Sequence, residues 1–173
     1  MLRALDHIVG LLTRAAGVLA AVLIVFMTLV VGYGVGARYL FDNPQVWIDE
    51  LVSYLVVLLV MTAAAEVLRR GEHVEIDLLV ARLGPGPARW VGIGGMLAVL
   101  VVSAVLIASG LEMIAFSREM QIRSVGYLSV LIWIPQSALP LGFTLLALAA
   151  LNRMLRLLTG LETVARSTPP PHP

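Results

Sequence analysis

Residues 15–37 read AAGVLAAVLIVFMTLVVGYGVGA, an apolar run without one charged side chain, closed by Arg38. A hydrocarbon core about 30 Å thick takes roughly 20 helical residues to cross, and this run is long enough. It exceeds the roughly 7–15 apolar residues of a secretory signal. It also ends in Gly34-Val35-Gly36-Ala37-Arg38 with no convincing cleavage pattern, so it reads as a retained span.

Working outward, three more apolar stretches reach spanning length, at about 50–68, 91–115 and 128–151. The expected fold is an all-α integral membrane domain of four transmembrane helices. Leu139 to Leu151 alone is too short to cross, so the fourth span is expected to reach back to about Leu128. Pro140 should then kink it or leave its first turns irregular. The whole chain agrees: 173 residues, 60% hydrophobic and 13% charged, with a mean hydropathy of +0.95. Soluble domains are roughly 45–50% apolar and 25% charged. A net charge of +1, with no basic run beyond Arg69-Arg70, gives no sign of nucleic-acid binding, and the absence of cysteine removes disulfide, thiolate and iron–sulfur chemistry.

Two segments read as amphipathic and interfacial. Near the N-terminus Leu2, Leu5, Ile8, Val9 and Leu12 recur at helical spacing, with Arg3, Asp6, His7 and Arg14 on other faces. In mid-chain, Val74, Ile76, Leu78, Leu79 and Leu83 mix with Glu75, Asp77 and Arg82 before Gly84-Pro85-Gly86-Pro87 breaks the chain. One membrane domain is expected over residues 1–166, followed by a disordered, proline-rich tail over 167–173.

Orientation is read from arginine, because basic residues near span ends accumulate on the cytoplasmic side. Arg3, Arg14, Arg69, Arg70, Arg82, Arg89, Arg153, Arg156 and Arg166 fall on one side of the four spans, and Arg38, Arg118 and Arg123 on the other. Both termini are therefore expected in the cytoplasm. Trp47, Trp90, Trp133, Tyr39 and Tyr127 fall near span ends, as an interfacial aromatic belt requires.

Charge at mid-membrane costs roughly 2.5–3.5 kcal/mol on insertion scales, and the centres of all four spans lack it. His7, His73 and His172 lie outside the spans, which removes the axial ligands a haem bundle needs. No serine–histidine or paired-aspartate arrangement is available for intramembrane proteolysis, and the first span lacks the carboxylate of a small proton-coupled exporter. No enzyme, cofactor or metal site is expected. Glu66 has Arg69 and Arg70 three and four residues on, as an interfacial helix pair would. Glu112 has no close basic neighbour in sequence, which leaves snorkelling or a partner on another subunit. Gly32 and Gly36 form a GxxxG pair, and the third span is rich in Gly, Ala and Ser, residues that let helices approach closely in lipid. Much packing surface and little chemistry read as a subunit.

From Arg38 to Leu79 a pattern emerges: Arg38-Tyr39-Leu40-Phe41, Pro44, Trp47, Asp49-Glu50-Leu51, a span, Arg69-Arg70-Gly71, His73-Val74 and Ile76-Asp77-Leu78-Leu79. It resembles the small, four-helix membrane subunit, DctQ-like, of TRAP (tripartite ATP-independent periplasmic) transporters. Arg123-Ser124, Ile134-Pro135 and Pro140-Leu141-Gly142-Phe143 extend the likeness, which covers about residues 1–158. Met61-Thr62 and Glu75 depart from the family's usual residues and leave the subfamily open.

The resemblance implies a bacterial or archaeal inner-membrane scaffold subunit. Its implied partners are a large multi-helix permease and a periplasmic substrate-binding protein, with membrane lipid around them. The implied activity is sodium-driven uptake of an organic acid. The alternative is a self-contained small four-helix transporter or channel.

Asn43 and Pro44 are expected as N-cap and first residue of the second span. Trp47 should anchor at the interface, and Asp49 and Glu50 should favour the positive end of the helix dipole. Arg38, Trp47, Asp49, Glu50, Glu112, Arg118 and Arg123 are the candidate partner contacts. Gly32 and Gly36 are the candidate packing residues, and Arg69, Arg70 and His73 the candidate cytoplasmic lipid contacts.

Overall fold

The computed structural model describes residues 2–70 and 85–159. Within them lie α1 (Leu2–Phe41), α2 (Trp47–Arg70), α3 (Pro85–Glu119), the single turn α4 (Trp133–Gln136) and α5 (Ala138–Leu158), with no strand among the described residues. Four stretches are long and apolar enough to cross a membrane: His7–Phe41, Trp47–Leu68, Gly86–Glu119 and Trp133–Leu158. The mid-chain segment 74–83, His73 and the proline-rich tail lie outside the described residues. Arg69 and Arg70 close α2, and nothing of their side chains is described.

α1 runs for 40 residues, about 60 Å at 1.5 Å per residue. The N-terminal segment expected as a separate surface helix continues into the first span without a break. The reason lies in its buried face: Val9, Thr13, Ala16, Ala20 and Leu23 repeat at alternating steps of four and three, one seam from arm to span, and Ala37 returns on the same heptad. A seven-residue repeat of this kind supercoils two helices left-handedly, and α1 lies along α2. Gly34 allows the closest approach: a Cβ there would come within 2.7 Å of Ile48 Cδ1.

The four spans do not close into a square. α2 and α5 pack together at the centre, α1 flanks α2 and touches α5, and α3 flanks α5; no Cα of α3 comes within 8 Å of α1 or α2. Leu68, Met96, Ala149, Ala150 and Leu157 form the core where α2, α5 and α3 meet. Gly142 makes the α2–α5 approach feasible, since a Cβ there would collide with Met61 Cβ and stand 3.0 Å from the Met61 Cα. Small residues thus place backbones together where dispersion must hold helices in lipid. Val18, Val22, Val25 and Leu29 on α1, and Leu97, Val101 and Val105 on α3, remain exposed. That surface is a liability in water and ordinary in hydrocarbon.

Two boundaries differ from expectation. The fourth span begins at Trp133, not near Leu128, and extends to Leu158. Residues 128–132 are used instead in the preceding loop, and the length is recovered at the C-terminal end. Pro140 sits third in α5, within the first turn, where no intrahelical donor is needed, so the irregularity falls at Ser137, between α4 and α5. The second correction concerns α2, which begins at Trp47. Asn43 and Pro44 are not its cap: Asp42 takes a left-handed φ of 49°, and the Asn43 N–H returns to the Ala37 carbonyl at 3.1 Å. They finish α1 rather than start α2. The Gly84–Pro87 breaker also starts a helix, with Pro85 as the first residue of α3.

Candidate interaction site

α3 ends at Glu119, and its last carbonyls need donors. Gln121 takes a left-handed φ of 50°, its Nε2 donates to the Arg118 carbonyl at 2.9 Å, and the Ile122 N–H reaches the Ser117 carbonyl at 3.0 Å. The chain then turns back on itself as a small antiparallel loop. Arg123 bridges Leu131, the Ser124 N–H donates to the Val130 carbonyl at 2.8 Å and the Ile132 N–H to the Ile122 carbonyl at 3.1 Å. Along 121–130 exposure alternates residue by residue: Gln121, Arg123, Val125, Tyr127 and Ser129 face outward, while Ile122, Ser124, Gly126, Leu128 and Val130 are half-buried. The backbone that carries this alternation is a tight loop of bends and turns closed by that one antiparallel bridge, with Ser129 as well as Gln121 in the left-handed region.

The inward row is held by one carboxylate. Glu50, in the first turn of α2, accepts from the Ser124 hydroxyl, from the Leu128 N–H at 3.0 Å and from the Tyr54 hydroxyl at 3.0 Å. The Gly126 N–H donates to Ser124 Oγ at 3.1 Å, closing the network. Gly126 leaves room for this arrangement, because a Cβ at that position would meet the Glu50 carboxylate and make it shift away from its partners. Charge-assisted hydrogen bonds of this kind are stronger than neutral ones. Glu50 therefore docks the loop onto α2 across a sequence separation of 74 residues at Ser124.

The other candidates divide sharply. Trp47 is half-buried and donates from Nε1 to Gln45 Oε1 at 2.9 Å. The Arg118 guanidinium lies 5.8 Å from the centroid of the Trp133 ring, a cation–π contact that joins the end of α3 to α4. Arg123 is exposed in the outward row. Arg38 and Asp49 line a recess of about 270 Å³ between the end of α1 and the start of α2, floored by Val31, Gly34, Val35 and Ile48. Glu112 is exposed on α3. The structure thus brings Glu50, Ser124 and Gly126 together, sets Arg38 beside Asp49, and leaves Glu112 apart.

Gly32 and Gly36 meet nothing within 4 Å, while Gly34 between them carries the contact with α2. Among the described residues, then, no other helix meets the GxxxG positions. Glu66 is buried at 5% exposure, with its Cγ 3.2 Å from where a Cβ on Gly17 would stand. The helix pair with Arg69 and Arg70 expected for it involves side chains outside the described ones; its burial against α1 is an added feature that spacing did not indicate. Sequence reasoning missed Ser124 and Gly126 as partners of Glu50. The one available signal was a Ser and a Gly two residues apart in a short loop, a pattern too common to single out.

The opposite end of the bundle is tied by arginine. Arg89, near the start of α3, donates from Nη2 to the Leu158 carbonyl at 2.6 Å, and Arg153 on α5 donates from Nη1 to the Leu68 carbonyl at 3.2 Å. Each guanidinium serves the last turn of a neighbouring helix, where carbonyls lack partners and positive charge is favoured.

Comparison with known proteins finds one family model, described as "Tripartite ATP-independent periplasmic transporters, DctQ component", matching residues 27–160. No curated protein matches the chain. The matched residues run from within α1 to the end of α5 and so include the recess, the Glu50 network and both arginine ties.

Proposed function

Because the chain belongs to the DctQ component family of tripartite ATP-independent periplasmic transporters, we propose that it is the small scaffold permease of a sodium-driven, binding-protein-dependent importer of an organic acid. The family is a transporter component family, and its four long apolar helices fit a multi-pass protein of the inner membrane. In this reading the large multi-helix permease carries substrate and sodium, and the small subunit braces it in a bacterial or archaeal membrane with both termini in the cytoplasm. Residues 1–166 act as one membrane domain.

The family match carries this reading, and the charge distribution supports the division of labour. The acidic residues of the described spans, Asp49, Glu50, Glu66, Glu112 and Glu119, stand toward helix ends, and the middle of each span carries none. The hairpin loop offers the surface for a docking protein: Arg123, Val125 and Tyr127 project outward from a loop whose other face is fixed by Glu50. A preformed surface loses little freedom on binding, and Arg123, with Arg118 at the adjoining end of α3, would steer an acidic partner. The face of Gly32 and Gly36, which meets no other helix among the described residues, is offered to the large subunit.

Reconstitution tests the reading. The purified chain alone in liposomes should show no sodium-driven organic-acid uptake, whereas the chain with its large partner and the loaded binding protein should support it. Saturable uptake by this chain alone would instead establish the self-contained small transporter. For orientation, single cysteines at Asn43 and Gln121 should react with an impermeant thiol reagent in intact cells, and one at Glu72 only after permeabilisation.

A further inference from the structure

α3 carries two seams of different kinds. Met96, Ser103, Gly110 and Ser117 are buried at every seventh position, and Gly110 meets α5, since a Cβ there would stand 3.4 Å from Pro140 Cδ. Two positions on from that seam, about 200° round the helix at 3.6 residues per turn, Ala98, Val101, Val105, Ala108, Glu112 and Ala115 recur in steps of three and four. All six are exposed. No Cα of α3 comes within 8 Å of α1 or α2, so no spanning helix among the described residues covers this second seam.

Glu112 interrupts the apolar character of that seam. It precedes Arg118 by six residues, about 9 Å along the helix at 1.5 Å per residue, and Arg118 is level with Trp133, where the fourth span begins. Gly110, two residues before Glu112, lies opposite Pro140, which is seven residues inside that span. Glu112 therefore stands beneath the aromatic edge, on the face turned to lipid. Cα–Cβ bonds tilt toward the N-terminus of a helix, which for α3 is the far side of the membrane, so the side chain starts out directed away from the nearer surface. Its neighbours one turn away are Ala108, Ser109, Ala115 and Phe116. Arg118 is about 120° round the helix and lies over Trp133. Among the described residues the Glu112 carboxylate has no hydrogen bond or ion pair, and at this depth an unpaired carboxylate is costly.

We propose that the exposed seam of α3 is a contact with the large permease, in which a membrane helix of that subunit lies along Ala108 and Ala115 and sets an arginine or lysine against Glu112. The partner is the one named under the proposed function, and the contact rests on that reading. Charge complementarity selects this occupant. A lipid headgroup stays above this depth. A second copy of the chain side by side brings no cation to it, because Arg38, Arg118 and Arg123 stand at the aromatic edge or beyond it and the other described arginines stand toward the opposite edge. A polar residue in a heptad seam costs stability and fixes partner and register. The small side chains on either side of Glu112 let a second backbone approach, and a cation placed there turns an exposed charge in hydrocarbon into a paired one.

Photo-cross-linking in membranes that hold the full chain together with its large permease tests this. A photoactivatable residue at Ala108 or Ala115 should cross-link to the large permease, and the cross-linked peptide should carry an arginine or lysine within a membrane span. Glu112→Gln should lower the amount of large permease that copurifies with the chain about threefold, the average effect of losing a polar contact between membrane helices. The melting temperature of the isolated chain should stay unchanged in this variant, which separates lost pairing from lost folding. Cross-links to a second copy alone or to lipid alone overturn the proposal, as does undiminished copurification of Glu112→Gln. A wild-type chain that joins no large permease overturns the proposed function as well. A chain that joins it and supports uptake, with no cross-link from this seam, leaves that function standing and removes this contact.

Discussion

The two ends of the bundle meet the same physical demand with opposite charges. At the hairpin end, α2 begins and the fourth span is entered through a loop, so the groups to be satisfied include hydroxyl and N–H donors. A carboxylate answers: Glu50 collects Ser124, Leu128 and Tyr54. At the other end α2 and α5 terminate, the groups left over are carbonyls, and arginines answer: Arg153 at Leu68 and Arg89 at Leu158. Chain direction thus selects the sign of the side chain at each membrane edge. Arg89 and Arg153 consequently serve as helix ties as well as orientation signals, so the arginine excess on their side has a structural share.

If this contrast is right, variants at the two ends should fail differently, and a variant at the centre should fail at both. Gly142→Val should have the largest effect, because the new side chain meets the Met61 backbone and forces α2 from α5. Overpacking of this kind costs about 1–3 kcal/mol and occasionally more. The expected readout is a lower melting temperature in detergent and faster amide exchange along both helices.

Gly126→Ala comes next, also at about 1–3 kcal/mol of overpacking, but confined to the loop. Exchange at the Ser124 and Ile132 amides should rise while the helices keep their protection. Faster exchange throughout α2 would show that the clasp supports the bundle and not only the hairpin. Arg153→Gln should cost about 0.5–1 kcal/mol, the usual value of a cation at a helix C-terminus, read as exchange at the end of α2 with the hairpin unaltered. Asp49→Asn should be smallest, within about 0.5 kcal/mol of wild-type stability as an exposed side chain with no hydrogen bond among the described residues.

The four helices were legible in the sequence because uninterrupted hydrophobicity needs no tertiary context. Their edges were less so. Leu139 to Leu151 alone is too short to cross, and the length needed is sought back to Leu128, where a loop residue facing inward is as apolar as a residue in lipid; part of it lies instead beyond Leu151, up to Leu158. The cap expected at Asn43-Pro44 failed for a related reason: residue types that begin a helix also end one, and Asp42 decided the matter by taking the left-handed conformation. GxxxG spacing points to Gly32 and Gly36, while among the described residues the contact with α2 is made at Gly34, since spacing alone does not say which face meets which neighbour. Asp49 and Glu50 are adjacent and chemically alike, but successive helix positions diverge by about 100°. One lines a recess and the other clasps a loop 74 residues away. Long-range partners of this kind leave no local trace in a single sequence.

On the proposed function, the Glu50-held hairpin presents its outward row to the binding protein. A photoactivatable cross-linker at Val125, which is fully exposed, in the assembled transporter tests this most directly. The account predicts a cross-link to the loaded binding protein that weakens markedly when Glu50→Gln is added and weakens little with Asp49→Asn. A cross-link formed only with the large subunit, or a yield indifferent to Glu50→Gln, would contradict it.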